Sequence, residues 1–135
     1  MAPRIKAVNA LRPRIEQGNT VQKPEWLRSA SRSTSLVEGT IDMSIKELRD
    51  QILEYCRAGR AIKVEGLGIW RPAIGLDGTL SINYRPDPSF SYGLNLPGVF
   101  SGKILNRENI GKSGEELVAL WNQANPQDQV ALSGE

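Results

Sequence analysis

Few residues in this chain have the types and spacing that catalysis requires. The sequence contains no histidine and one cysteine, Cys56, so it cannot build a histidine-based triad or the usual zinc sites. Three carboxylates could act as acids or bases, but a turn or a helix start explains each position better: Asp87, Glu115 and Glu116. The sequence therefore predicts no catalytic residue, no metal site, no cofactor and no small-molecule substrate, and we expect that the chain is not an enzyme.

Two glycine-containing segments imitate phosphate-binding loops but have the wrong spacing. Residues 111–113, Gly-Lys-Ser, have the ending of a Walker A loop, yet the position of its leading glycine is occupied by Asn106. Residues 98–103 have three residues between their glycines, where the loop needs four. Neither segment predicts a nucleotide site.

The distribution of charge indicates a different kind of partner. The chain has 17 basic and 15 acidic residues, and the two kinds are unevenly placed. Residues 1–112 have a formal charge of +6, whereas residues 113–135 have a charge of −4. A basic body suits a polyanionic partner such as a nucleic acid, although a charge of +6 is also ordinary for a soluble domain.

No feature of the sequence predicts export or membrane insertion. A membrane-spanning helix needs about 18 or more apolar residues in succession, and no window approaches this. Four cations interrupt the N-terminal region where a signal peptide needs an apolar core: Arg4, Lys6, Arg12 and Arg14. The single cysteine is expected to be buried in the protein, and its lack of a disulfide partner predicts a reducing compartment. We therefore expect a cytoplasmic protein with no membrane partner.

The elements that position the basic residues begin with a long helix over residues 36–58. Its apolar residues recur every three or four positions and so form one stripe: Ile41, Ile45, Leu48, Ile52 and Tyr55 or Cys56. Ser35 and Glu38 have the spacing of a capping box at its start, and a shorter helix should begin at Pro24. One chain with a small sheet cannot enclose this stripe, so we expect part of it to contact a second copy.

Three short strands are predicted after this helix. Residues 62–65 alternate apolar and charged side chains, as a half-buried strand does. Residues 70–74 and 80–85 alternate in the same way, and the Asp-Gly pair within residues 76–79 predicts a hairpin turn between them.

The segments outside the sheet are less regular. Residues 1–22 lack a sustained period, and we expect a basic arm with one short strand near residues 5–11. A short helix is predicted over residues 101–107. Ser113 and Glu116 form a capping box before a last helix, which leads into an acidic tail.

Two motifs stand about thirty residues apart in this order of elements. The first is Gly66-Leu67-Gly68-Ile69-Trp70, in which the glycines should allow a tight turn that points Leu67 inward. The second is Asn-Leu-Pro-Gly-Val-Phe-Ser-Gly-Lys-Ile-Leu at residues 95–105. Together they resemble the HU/IHF family of DNA-bending proteins over residues 23–109. The family usually has aromatic residues at the positions of Leu67 and Trp70, and its last helix opens with Pro-x-Phe-x-Ser-Gly-Lys-x-Leu.

A further sequence, Tyr-Arg-Pro-Asp at residues 84–87, is more similar to divergent HU-like proteins of the Bacteroidetes type. In that alignment the last helix of the family begins near Pro88 instead of near residue 101.

The resemblance implies an α+β fold in which a helical base supports a small antiparallel sheet and two copies form an intertwined homodimer. Family members grip DNA with long β-arms, each tipped by a proline that wedges between base steps. Here only 13 residues separate Trp70 from Tyr84, and the turn at residues 76–79 has no proline. The resemblance therefore implies a nucleoid-associated protein with a short hairpin arm, which binds duplex DNA with little sequence specificity and reduced bending.

Candidate DNA contacts follow from the same resemblance. If the apolar residues of the strands face the helices, four polar residues share the opposite face: Lys63, Arg71, Asn83 and Arg85. The second motif would place Ser101 and Lys103 at a helix N-terminus, where backbone N–H groups suit a phosphate. Arg4 and Lys6 would belong to a flexible basic arm. The alternative for each residue is an ordinary solvated surface side chain.

The chain is thus expected to divide into a basic N-terminal arm at residues 1–22, an HU-like DNA-binding domain at 23–112, and a helix with an acidic tail at 113–135. The alternative function is a non-enzymatic protein assembly module that keeps the HU-like dimer. The last helix favours that alternative because it has apolar residues that need a surface to cover: Leu117, Leu120 and Trp121. An acidic tail could also occupy the basic sheet and weaken its affinity for DNA.

Overall fold

The computed structural model describes residues 2–131 and is of the mixed α+β class. In chain order its elements are α1 (Arg4–Leu11), β1 (Arg14–Glu16), α2 (Lys23–Thr34), α3 (Glu38–Arg57), β2 (Ile62–Val64), β3 (Gly68–Ile74), β4 (Leu80–Pro86), α4 (Pro88–Leu94), β5 (Lys103–Leu105) and α5 (Gly114–Ala124). Within this part of the chain, no helix has both the length and the apolar content to cross a membrane.

The chain folds into two compact units. The terminal unit combines the residues up to Gly18 with those from Ser101 onward, and the central unit is Asn19–Phe100. This division differs from the three consecutive parts that the sequence predicts, because the two ends of the chain pack on each other.

The central unit begins with the helix pair α2 and α3. Leu27 on α2 is buried, and α3 follows the predicted range closely. The predicted capping box is wrong, because α2 continues as far as Thr34 and Ser35 is used to end it. Ser35 adopts the left-handed conformation, with φ 62°, and its N–H donates to the Ser31 carbonyl. Val37 precedes α3, and no side chain among the described residues caps the start of this helix.

Asp42 links the two helices electrostatically. Its carboxylate lies 2.8 Å from Lys23 Nζ on α2 and 3.1 Å from Lys46 Nζ one turn along α3. The hydrogen bond from Lys23 and then that from Lys46 lower the pKa of Asp42 from its ordinary value of 3.8.

Acidification should therefore destabilise the central unit through Asp42. A carboxyl with a lowered pKa in the folded state stabilises the fold above its unfolded pKa and loses that contribution as the pH falls through the folded pKa. We expect the urea midpoint to drop as the pH falls below 3.8, and to drop less in Asp42→Asn, where this proton uptake is absent. Equal drops in the two proteins would contradict this role of Asp42.

The central sheet has the order β2-β3-β4, and both pairings are antiparallel. The strand alternation predicted from the sequence is confirmed, because Ile62 pairs with Trp70 and Trp70 pairs with Tyr84 on one face. The β3–β4 pairing ends at Ile74 and Leu80, so the hairpin extends only five residues beyond the paired strands. Helix α3 packs against β2 and β3.

The helix after the sheet begins at Pro88, as the divergent HU-like alignment implies, and the helix predicted over residues 101–107 is wrong. Asp87 starts α4 by accepting a hydrogen bond from the Ser89 N–H at 3.0 Å. Lys103–Leu105 instead forms strand β5, whose partner β1 lies near the other end of the chain. A local motif cannot reveal a pairing over this sequence distance.

The terminal unit replaces the predicted basic arm with a packed structure. Residues 4–11 form helix α1, which packs on α5, and the short strand β1 lies farther on than predicted. The core consists mainly of small or branched residues: Ala2, Ala7, Val118 and Val130. Since alanines at close helix contacts produce little hydrophobic periodicity, α1 has no clear signal in the amino-acid pattern.

Amide side chains hold the terminal unit together. Asn109, which is 4% exposed, donates from Nδ2 to the Leu11 carbonyl at 2.7 Å. Asn122 binds both the N–H and the carbonyl of Val130, at 2.6 and 3.1 Å. The predicted cap of α5 is confirmed, because Ser113 Oγ accepts from the Glu116 N–H at 3.2 Å. The end of the predicted acidic tail, residues 132–135, lies outside the described residues.

Candidate nucleic-acid interface

Strand register brings four of the predicted contact residues to one face of the central sheet. Lys63 lies opposite Ile69, and Ile69 lies opposite Arg85. Arg71 is two residues beyond Ile69 and lies opposite Asn83. Residues that pair directly, or that lie two apart on a strand, point to the same side of a sheet. We call the face formed by Lys63, Arg71, Asn83 and Arg85 the basic face.

The basic face has no opposing charge in its own strands. None of β2, β3 and β4 contains an acidic residue. Lys63, Arg71 and Arg85 are all exposed, and within residues 2–131 none of them forms a salt bridge. Three cations therefore present their charge to solvent from one short sheet.

Asp87 is an acidic group at the edge of this face. It lines a shallow hollow of about 210 Å³ together with Lys63 and Arg85. Hydrogen bonds from Ser89 lower the pKa of Asp87, and the charge of Lys63 adds to the effect. Asp87 is thus ionised at neutral pH, and two cations beside one carboxylate leave the hollow with a net positive charge.

The arrangement suits the phosphate backbone of a nucleic acid. Ammonium and guanidinium groups donate hydrogen bonds to phosphate oxygens, and the Asn83 amide can donate a further one. Such contacts position a protein on DNA without reading the sequence of bases. Ser81 belongs to the same face, since it lies opposite Ala73 and two residues before Asn83. Ser81 was not among the predicted contacts, although the alternation of β4 places it on this face.

The other four predicted contact residues lie in the terminal unit. Ser101 and Lys103 do not stand at a helix N-terminus, because Lys103 is in β5 and its Nζ lies 3.4 Å from Glu16 Oε2. Arg4 and Lys6 are in α1 and not in a flexible arm. Lys6 also interacts within the terminal unit, because its Nζ lies 3.0 Å from Asp128 Oδ2 and 5.5 Å from the centre of the Trp121 ring.

The first motif shapes the end of the sheet. Gly66 occupies the turn. The prediction that Leu67 points into a core is wrong, because Leu67 is 37% exposed. The Leu67 carbonyl instead accepts hydrogen bonds from the Tyr84 hydroxyl at 2.7 Å and from the Asp87 N–H at 3.0 Å. Gly68 is buried, and Trp70 packs on Tyr84 with ring centres 4.6 Å apart.

The opposite face of the sheet is apolar and only partly covered. Three of its residues on β4 are substantially exposed: Leu80 at 76%, Ile82 at 40% and Tyr84 at 45%. Between α3 and this strand lies a groove of about 500 Å³, whose walls include Ile45, Leu48, Trp70 and Ile82. We call it the α3–β4 groove.

A scan of protein-family models and a search of curated proteins found no match to the chain. Within residues 2–131, no three histidine, cysteine or acidic side chains come together in a way that could hold a metal ion.

Proposed function

We propose that this chain is an HU-like protein that forms a homodimer and binds duplex DNA through the phosphate backbone. It would have little sequence specificity and would act in the nucleoid as a non-enzymatic DNA-binding protein. The observation that supports this most strongly is the basic face, where Lys63, Arg71 and Arg85 share one side of a sheet without an acidic residue in its strands.

The incomplete core of the central unit supports the homodimer. Among its large apolar residues only Leu27 is buried, and Cys56 is the other buried hydrophobic residue. A unit of this size needs a larger core to remain folded alone. A second copy placed over the α3–β4 groove would supply that core and leave both basic faces open to DNA.

The short hairpin supports reduced bending. The loop beyond Ile74 and Leu80 has no proline, and it carries Asp77, whose pKa is lowered by hydrogen bonds from Thr79. A carboxylate at the tip repels phosphate groups. A hairpin of this length and charge is poorly suited to wrap around a duplex or to wedge between its bases.

A salt titration of binding to a random-sequence duplex tests the proposal. If the three cations of each copy neutralise one phosphate apiece, the plot of log affinity against log salt should have a slope of about −5. Duplexes of unrelated sequence should bind with similar affinity. The absence of binding at low salt, or a slope close to zero, would contradict the proposal.

The second candidate function is a protein assembly module. The observation that favours it is the exposed apolar surface of residues 88–100, where Tyr92 is 76% exposed and Leu94 is 62% exposed. This function predicts a stable dimer that fails to bind DNA even at low salt. The same titration therefore separates the two candidates.

A further inference from the structure

Residues 88–100 form a segment whose composition is unusual for a protein surface. The segment has no charged residue, yet it exposes six large apolar side chains: Phe90 at 46%, Tyr92 at 76%, Leu94 at 62%, Leu96 at 56%, Val99 at 56% and Phe100 at 39%. Single exposed apolar residues need no explanation, but a run of six indicates a contact surface. We call residues 88–100 the apolar segment.

An apolar groove that could accept this segment lies in the same unit. The α3–β4 groove continues into a second hollow of about 420 Å³, which Leu53, Cys56, Pro72 and Leu80 help to line. Leu53 and Ile82 border both hollows. The charged residues of the walls are the cations Arg49 and Arg57, so an uncharged apolar occupant fits and a basic one does not.

The apolar segment does not fill this groove in its own copy. Within the described chain, no residue of the segment lines either hollow. The segment leaves the sheet at the Pro86 end of β4, whereas the groove follows β4 back toward Leu80. The exit is fixed by the hydrogen bond from the Asp87 N–H to the Leu67 carbonyl and by the cap of Asp87 on α4.

We infer that the apolar segment of one copy fills the α3–β4 groove of a second copy, and that the contact is reciprocal. This inference rests on the homodimer of the proposed function and names the segment that holds it together. Six apolar side chains and the groove walls would bury on the order of 1,000 Å² at each contact. The symmetric pair would then bury on the order of 2,000 Å², within the range of stable interfaces.

Complementation between two variants tests the inference. In each of these blocked variants, a glutamate is placed in one of the two contact surfaces. Ile45→Glu places a charge in the groove on an exposed helix position, and Tyr92→Glu places one on the apolar segment. Leu76→Glu is the matched control, because Leu76 is fully exposed and lies in neither surface. Dimer affinity is measured by sedimentation, and circular dichroism checks that each variant is folded.

Each blocked variant alone should dimerise at least tenfold more weakly than the wild type, whereas Leu76→Glu should be unchanged. An equimolar mixture of the two blocked variants should form heterodimers, because a wild-type groove then meets a wild-type segment at one of the two contacts. Unchanged dimerisation of Tyr92→Glu would overturn the inference, and so would weak dimerisation of both variants without heterodimers in the mixture.

Photo-crosslinking keeps the inference testable if a blocked variant fails to fold. The photoreactive residue benzoylphenylalanine at position 92 should crosslink to α3 or β4 of a second, isotopically labelled copy. Crosslinks confined to one chain would overturn the inference. A wild-type protein that dimerises and binds DNA without this contact would leave the proposed function standing, whereas a monomeric wild-type protein would contradict both.

Discussion

Reversing the charges of Arg71 and Arg85 together should lower the affinity for random-sequence duplex DNA at least a hundredfold. The two residues lie on adjacent strands of the basic face, and the double substitution to glutamate changes the charge of each copy by −4. Lys63 would then be the only cation left on that face. Each phosphate contact adds an increment to the salt dependence of binding. For the residual binding, the plot of log affinity against log salt should therefore be much less steep.

A matched double variant on another surface makes this result specific. Arg28→Glu with Arg32→Glu changes the charge by the same amount on α2, at two exposed positions away from the basic face, and it should reduce the affinity much less. Both double variants should remain dimeric, because neither substitution touches the α3–β4 groove. Equal losses in the two double variants would mean that total charge, and not the basic face, attracts the DNA.

Replacing Gly68 with alanine should cause the largest loss of stability of any single methyl addition in the central unit. Gly68 has φ 141°, which side-chain-bearing residues rarely adopt, and a Cβ would collide with the Arg85 carbonyl oxygen. It would also approach the Tyr84 ring to 2.9 Å and Pro86 Cα to 3.1 Å. Neither backbone atom can move without breaking the β3–β4 pairing, so we expect a loss of about 3 kcal/mol or more.

Gly66→Ala is the matched control for this prediction. Gly66 also has a positive φ, of 84°, but a Cβ at this position meets no atom of the described residues within 4 Å. The cost should therefore be the backbone strain alone, about 1 kcal/mol. Urea unfolding at matched protein concentration measures both variants, since the stability of a dimer depends on concentration. Similar losses for the two alanines would contradict the close approach at Gly68.

The sequence was sufficient for the elements whose signal is local. The stripe that includes Ile45 and Ile52 defines α3, and the alternation on either side of the Asp77-Gly78 turn defines β3 and β4. The basic face follows from the same alternation, because a period of two assigns Arg71 and Arg85 to one side once the register is known. The register came from the structure.

Most of the wrong predictions concern elements that depend on partners far away in the sequence. Strand β5 exists because Ile104 pairs with Ile15, which lies nearly ninety residues earlier. Helix α1 is stabilised by the contact of Ala7 with the core around Val118, and small residues leave almost no periodic pattern. Ser35 has the correct spacing for a capping box, but the turn between two helices required a left-handed residue at that position.

These failures change which residues support DNA binding. The predicted contacts at Lys103 and Lys6 assumed a helix N-terminus and a free arm, and each lysine instead pairs with a carboxylate, Glu16 or Asp128. The residues of the basic face do not depend on either assumption. The proposal therefore rests on the sheet alone.

Protection of Lys63 by DNA tests the central claim most directly. Lys63 is the only lysine in the strands of the central sheet, and Lys46 on α3 is an internal reference that pairs with Asp42. Limited acetylation followed by mass spectrometry measures both lysines with and without random-sequence duplex at low salt. We predict that duplex DNA slows acetylation of Lys63 severalfold and leaves Lys46 unchanged. Binding of the duplex with no protection of Lys63 would contradict the assignment of the basic face as the DNA-binding surface.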